Sequence, residues 1–122
     1  MDALIIDDSR AMRLILGRMI GELGFAVTEA ANGREGLAQL EAGLRPELIL
    51  VDWNMPEMTG IEFVLAARKA PFESNAKMVM VTTETEVSQV VRALDVGADE
   101  YVMKPFTKEA IFEKLQLLGL GI

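Results

Sequence analysis

Five short apolar runs alternate with five amphipathic stretches along a chain of 122 residues, and this alternation narrows the fold more than any other feature. The runs are Ala3 to Ile6, Phe25 to Ala30, Leu48 to Val51, Lys77 to Val81 and Glu100 to Met103. Each has the length of a strand. The third, Leu48-Ile49-Leu50-Val51, has no polar alternation, as expected of a strand buried on both faces. Strict strand-helix alternation predicts an α/β fold, with a doubly wound five-stranded parallel sheet, five helices on its two faces and right-handed crossovers.

The intervening stretches carry helix signals. Ser9 can cap a first helix whose apolar stripe is Met12, Ile15, Leu16, Met19 and Leu23, with Gly24 ending it. Asn32 with Glu35 reads as a capping pair for a second helix containing Leu37 and Leu40, closed by Gly43 and Pro46. Thr59 with Glu62 opens a third helix from about Gly60 to Lys69, and Pro71 prevents its continuation. Thr83 with Glu86 offers a cap for a fourth, with Val87, Val90, Val91 and Leu94 as its stripe and Gly97 as its stop. Thr107 caps a fifth, with Ile111, Phe112, Leu115 and Leu118 inward. The ending Gly119-Leu-Gly-Ile is expected to fray. No linker, repeat or low-complexity tract interrupts the pattern, so residues 1-122 are expected to form one domain with no effector domain attached.

Composition removes several kinds of chemistry. The chain has neither Cys nor His. Disulfides, thiolate catalysis and zinc-thiolate sites are therefore excluded, as are the usual general base and the commonest metal ligand. Any bound metal should be a hard cation that prefers oxygen. A net charge of -7 and a pI near 4.6 argue against nucleic acid as a partner. No apolar run is long enough to span a bilayer, and no signal-peptide pattern opens the chain, which suggests a cytoplasmic protein without membrane insertion.

The ends of four strands carry the chemistry. Asp7 and Asp8 follow the first, Asp52 the third, Thr82 the fourth and Lys104 the fifth. In open parallel sheets the carboxyl ends of the strands form the ligand-binding rim. Three carboxylates sharing a small volume repel unless a cation intervenes. Mg²⁺ suits best, because it takes one or two carboxylates and keeps waters. The backbone carbonyl of Asn54 could complete the protein ligands. Lys104 supplies a point charge for a phosphoryl oxygen and Thr82 a hydroxyl. Asp52 is then equipped for in-line attack on phosphorus, forming an aspartyl phosphate.

Each residue also has an ordinary reading. A lone Asp after a strand is usually a turn or cap residue. Thr82 alone is a strand-end Thr, and Lys104 alone a solvated loop cation. The concurrence of all of them at strand ends favours function. Met78, Met80 and Met103 read as core. Trp53 reads as a loop residue covering the site.

The acidic pair Asp7-Asp8, the segment Asp52-Trp-Asn-Met-Pro-Glu-Met-Thr-Gly60, Val81-Thr82 and Tyr101-Val-Met-Lys104-Pro105-Phe106 resemble the receiver domain of two-component response regulators. The resemblance covers essentially the whole chain and is strongest to single-domain chemotaxis regulators. It implies a flavodoxin-like sheet of order 2-1-3-4-5. It implies Asp52 as phosphoacceptor, Mg²⁺ held by Asp8, Asp52 and the Asn54 carbonyl with Asp7 assisting through water, and Lys104 on the phosphoryl group. The Lys104-Pro105 peptide should be cis. Thr82 and Tyr101 should act as the switch, although Tyr101 could equally be half-buried packing. Asn54 and Glu84 should tune dephosphorylation, and Glu84 is otherwise an ordinary helix-start acid. Thr83 departs from the family's common small Ala, and Ser9 stands where Phe occurs in some relatives.

The implied function is that of a stand-alone signalling phosphoacceptor, not an enzyme acting on a separate substrate. A sensor histidine kinase would donate the phosphoryl group. The likeness implies a monomer that switches a face formed by the fourth helix, fifth strand and fifth helix toward a protein target such as the flagellar motor switch. A phosphorelay shuttle is the near alternative. An Asp-nucleophile phosphatase is disfavoured, because Asn54 stands where a second carboxylate would be wanted. A flavin-mononucleotide binder is disfavoured because Asp7 and Asp8 occupy the phosphate loop.

Overall fold

A computed structural model describes residues 1–83 and 89–120. The elements run β1 (Asp2–Ile6), α1 (Arg10–Glu22), β2 (Ala26–Ala30), α2 (Gly33–Glu41), β3 (Leu48–Asp52), α3 (Gly60–Arg68), β4 (Lys77–Thr83), α4 (Val90–Asp95), β5 (Glu100–Lys104) and α5 (Lys108–Leu117). The strands form one sheet in the order β2-β1-β3-β4-β5, and every pairing is parallel. Both the alternation and the order expected from the family resemblance are present.

All five residues of the central strand β3 are buried. Successive side chains point to opposite faces of a strand. Leu48 and Leu50 therefore pack with Leu16 and Ile20 of α1 and Ile111 and Leu115 of α5. Ile49 and Val51 pack on the other face with Leu40 of α2, Phe63 and Val64 of α3, and Ala93 of α4. Two cores sandwich the sheet, which explains why β3 needs apolar residues at consecutive positions.

Local chemistry sets the helix starts. The side chains of Ser9, Asn32, Thr59 and Thr107 accept from the backbone N–H groups of Met12, Glu35, Glu62 and Ala110 at 3.2, 2.9, 3.2 and 3.0 Å. Glu62 returns the bond to the Thr59 N–H at 2.9 Å, completing a capping box. The pairing of Thr83 with Glu86, the Val87 position and Glu84 cannot be placed, because residues 84–88 lie outside those described.

Several helix faces differ from the sequence expectation. Ile15 is exposed, and Ile20 takes the buried position. In α4 the inward residues are Val90 and Ala93, while Val91 is 66% and Leu94 40% exposed. Met103 is exposed on the edge strand β5, whereas its neighbour Val102 is buried. Phe112 is half-buried and joins neither core. Apolar residues occupy more than one face of α1 and α4, so periodicity alone did not identify the face on the sheet. The C-terminal stretch is not frayed at Leu120, which is buried and whose N–H bonds the Leu115 carbonyl at 3.1 Å. No described helix is long and apolar enough to cross a membrane.

Arg68, at the end of α3, ties together the amino-end rim of the sheet. Its guanidinium donates to the carbonyls of Gly97 at 3.0 and 2.8 Å, Ser74 at 2.8 Å and Ala76 at 2.7 Å, and to Asp99 Oδ2 at 2.9 Å. The same Asp99 oxygen accepts from the Met78 N–H at 2.8 Å. Gly97 has a φ of +126°, and a Cβ there would approach the Arg68 stem to 2.9 Å, so glycine is required on both counts. Arg68→Ala strands several half-buried carbonyls. It should lower stability in urea unfolding by about 2–3 kcal/mol. The exposed neighbour Lys69→Ala should stay within about 0.5 kcal/mol of wild type.

Candidate functional site

Strand register assembles the site. Ile6 pairs with Val51, which places Asp7 and Asp52 one step beyond on adjacent strands. Asp52 pairs with Val81, so Thr82 lies one step further along β4. Thr83 pairs with Lys104 at the end of β5. The Lys104 stem reaches back across this stagger, placing Nζ 3.0 Å from Asp52 Oδ1 and 3.8 Å from Asp7 Oδ2.

Oxygens of Asp7, Asp8 and Asp52 come within 4.8 Å of one another. Asp7 is 1% and Asp52 6% exposed, while Asp8 is exposed. Asp7 is held at several points. Its N–H donates to the Ala30 carbonyl at 3.1 Å, its Oδ1 accepts from the Ser9 N–H at 2.8 Å, and its carbonyl accepts from Arg13 Nη1 at 2.7 Å. Asp7 Oδ2 is buried and accepts no hydrogen bond among the described residues. Three converging carboxylates with one unsatisfied buried oxygen fit a hard divalent cation with oxygen ligands.

Electrostatics follow from burial and crowding. Burial raises the Asp52 carboxyl from its ordinary 3.8 to about 6. The charges of Asp7 and Asp8 add to the rise, and the hydrogen bond and charge of Lys104 oppose it. Asp7 is raised as well, first by burial and then by Asp8, against the Ser9 N–H and Lys104. Both acids therefore lie above the usual carboxylate range, as expected of like charges removed from water.

The loop after β3 is closed tightly. The Trp53 N–H bonds the Val81 carbonyl, and the Gly60 N–H the Trp53 carbonyl, both at 3.0 Å. A Cβ on Gly60 would sit 2.6 Å from the Asp52 carbonyl oxygen, so only glycine lets α3 start this close to the acid. Trp53 packs at the margin of the core and Asn54 is exposed.

The buried Thr82 hydroxyl donates to the Thr83 carbonyl at 3.3 Å, which is long for such a bond. Tyr101 is half-buried against the core, with Lys114 Nζ 4.7 Å from its ring centroid. The Lys104-Pro105 peptide is cis, as expected, and Ala70-Pro71 is a second cis peptide that nothing in the sequence signalled. The structure thus brings Asp7, Asp8, Asp52 and Lys104 together, with Thr82 on the adjoining strand and Tyr101 apart from them on β5. Arg13 was not singled out in the sequence, since it reaches the site through a backbone carbonyl, that of Asp7, and pairs with Glu29 on β2. A groove of about 350 Å³ between Leu40–Glu47 and Phe72–Ala76 lies at the other end of the strands, away from this chemistry.

Residues 3–116 match the response regulator receiver domain family. The chain is 36% identical to chemotaxis protein CheY1 of Helicobacter pylori over 97% of this chain and 96% of that protein. It is 38% identical to chemotaxis protein CheY of Pseudomonas aeruginosa over 95% and 94% of the two chains. Among solved structures, the chemotaxis response regulator CheY4 of Vibrio cholerae superposes with a TM-score of 0.86 at 36% identity, covering 96% of this chain and 97% of the other. With its parallel sheet in the order 2-1-3-4-5 and near full-length similarity to chemotaxis regulators, the chain belongs to the response regulator receiver domain family.

Proposed function

We propose that this chain is a phosphorylation-controlled binding module in which Asp52 accepts a phosphoryl group from the phosphohistidine of a sensor histidine kinase. The observation that carries this reading is a buried strand-end carboxylate paired with the Lys104 ammonium at 3.0 Å and crowded by two further acids. A receiver of this family is a signalling phosphoacceptor and has no separate substrate.

The ionised Asp52 is the nucleophile, and a carboxyl with a pKa of about 6 is mostly ionised at neutral pH. One carboxylate oxygen attacks phosphorus in line as the bond to the donor imidazole breaks. Lys104 stays within reach of the transferred oxygens, and its charge offsets theirs. Asp8 and Asp52 with the Asn54 carbonyl, assisted by Asp7, are the residues to hold Mg²⁺. When bound, the ion would neutralise the crowded acids and polarise the phosphoryl oxygens. The weakly engaged Thr82 hydroxyl is free to exchange its long bond for a phosphoryl oxygen. Asn54, and Glu84 among residues 84–88, tune loss of the phosphoryl group.

The output face is α4–β5–α5. Val91, Leu94 and Met103 expose apolar surface there, and Tyr101, Met103, Phe106 and Lys114 line a depression of about 340 Å³. Tyr101 and Lys104 belong to the same short strand, which connects this face to the site. The partner on this reading is a flagellar motor switch protein. The module works as a monomer in the cytoplasm. Near full-length similarity to chemotaxis regulators supports a protein-binding output at this face over a pure phosphorelay shuttle.

Two predictions follow from the site's chemistry and charge. With MgCl₂ and a small phosphodonor, the wild type should incorporate one phosphoryl group and Asp52→Asn none. Thr82→Ala should label normally, but its affinity for partner should not rise on labelling. A labelled Asp52→Asn chain, or a Thr82→Ala chain that responds like wild type, contradicts the assignment. The second prediction concerns stability. Because folding raises the Asp52 pKa, the native state binds its proton more readily than the unfolded chain. Stability is therefore lost as pH rises from about 4 through 6. In metal-free buffer at pH 7.5, Asp52→Asn should be more stable than wild type by about 1–3 kcal/mol, and the gain should vanish near pH 4. Urea titrations at the two pH values check it.

A further inference from the structure

We infer that Arg13 and Glu29 form a brace that presets the acidic loop for its cation, which makes Arg13 a positioning residue of the site. This rests on the reading that Asp7, Asp8 and Asp52 surround Mg²⁺. Asp7 has four polar atoms, and three are committed: N–H to Ala30, Oδ1 to Ser9 and the carbonyl to Arg13. The fourth, Oδ2, is the buried oxygen with no hydrogen bond. Its direction is set by the other three.

Of those three bonds, one is local, from the Ser9 N–H, and one runs to the Ala30 carbonyl on the neighbouring strand β2. The third reaches in from α1. The Arg13 guanidinium donates Nη1 to the Asp7 carbonyl at 2.7 Å and Nε to Glu29 Oε1 on β2 at 3.1 Å. The Arg13 N–H also bonds the Ser9 carbonyl at 3.0 Å. One residue thus ties the two ends of the Asp7–Ser9 turn to an edge strand, and Asp8 sits inside that turn. A planar guanidinium presents its donors in a fixed fork, which suits it to holding a carbonyl and a carboxylate at a set separation.

Glu29 has a second effect. A bare guanidinium beside the acids would repel a cation, and the Glu29 carboxylate offsets its charge. The ion pair is partly exposed, with Arg13 15% and Glu29 40% accessible, so its worth to folding is small. Its effect falls on where Asp7 and Asp8 are held. Groups that orient metal ligands from behind change metal affinity on the order of 10–100-fold when removed.

The test is a MgCl₂ titration followed by the fluorescence of Trp53, the only Trp in the chain. Arg13→Met keeps the apolar stem and removes the donors. Its half-saturating Mg²⁺ concentration should rise on the order of tenfold. Its labelling rate with a small phosphodonor at saturating Mg²⁺ should equal that of wild type, since Arg13 touches no reacting atom. Arg13→Lys, with one donor nitrogen in place of two and the charge retained, should show a smaller rise, and it carries the test if Arg13→Met does not fold. A folded variant with unchanged half-saturation, or with a lowered plateau rate at unchanged half-saturation, overturns the brace. A wild type that does not respond to MgCl₂ overturns the cation reading beneath it.

Discussion

Charge crowding at the end of buried strands governs this molecule. Asp7, Asp8 and Asp52 bring carboxylate oxygens within 4.8 Å, and Lys104 is the cation paired with two of them. A carboxylate free to move would turn toward water. Asp52 cannot, because it ends a strand whose four preceding residues are all buried between two helical layers. Burying each of those four side chains contributes about 1.5–3 kcal/mol, and together they exceed the roughly 3 kcal/mol that the rise in the Asp52 pKa represents. The apolar sheet thus holds the acid where it is electrostatically least comfortable. A site under such tension gains from any ligand that brings positive charge or disperses negative charge.

Lys104 is the narrowest link in this arrangement. It lies 3.0 Å from Asp52 and 3.8 Å from Asp7, so it favours one acid and leaves Asp7 Oδ2 unsatisfied. On the proposed reading, a phosphoryl group on Asp52 replaces a single carboxylate charge with a larger dispersed one, and the ammonium stays engaged. On that reading the change would reach Tyr101, which lies three residues before Lys104 on β5. Its ring contacts the Lys114 ammonium, which also pairs with Glu100 at 3.2 Å. Both ends of the proposed switch thus lie on one five-residue strand. Local chemistry at one end biases packing at the other, as a two-state element requires.

Features governed by short-range chemistry were legible from sequence. The run Leu48 to Val51 announced a strand covered on both faces, and four caps formed as the Ser, Asn and Thr positions indicated. The polar residues at strand ends converged because parallel strands place all their carboxyl ends on one rim. Strand order was another matter, since it came from the family resemblance. Ile15, Val91 and Leu94 were misassigned because apolar periodicity tells how many faces could be buried, and the sheet decides which one is. Met103 was misassigned because β5 is an edge strand with less cover than its neighbours. Arg13 and Arg68 stayed invisible for a common reason. Each guanidinium binds one or more backbone carbonyls brought near by folding, together with one acid distant in sequence, and a carbonyl leaves no trace in residue identity.

Those two arginines also make the two rims unequal. At the amino end, Arg68 alone gathers α3, the loop before β4 and the loop before β5 through five donor contacts. At the carboxyl end, the β1 turn is pinned by Arg13, but among the described residues the Thr82 hydroxyl makes one long bond, and Lys104 is divided between two acids. Local opening is easiest where polar contacts are few and weak. A rearrangement driven from the carboxyl rim can therefore proceed by exchange of the Thr82 and Lys104 bonds alone. On the proposed reading, displacement would fall on the exposed α4–β5–α5 surface, because the amino ends of β4 and β5 are held by the Arg68 contacts.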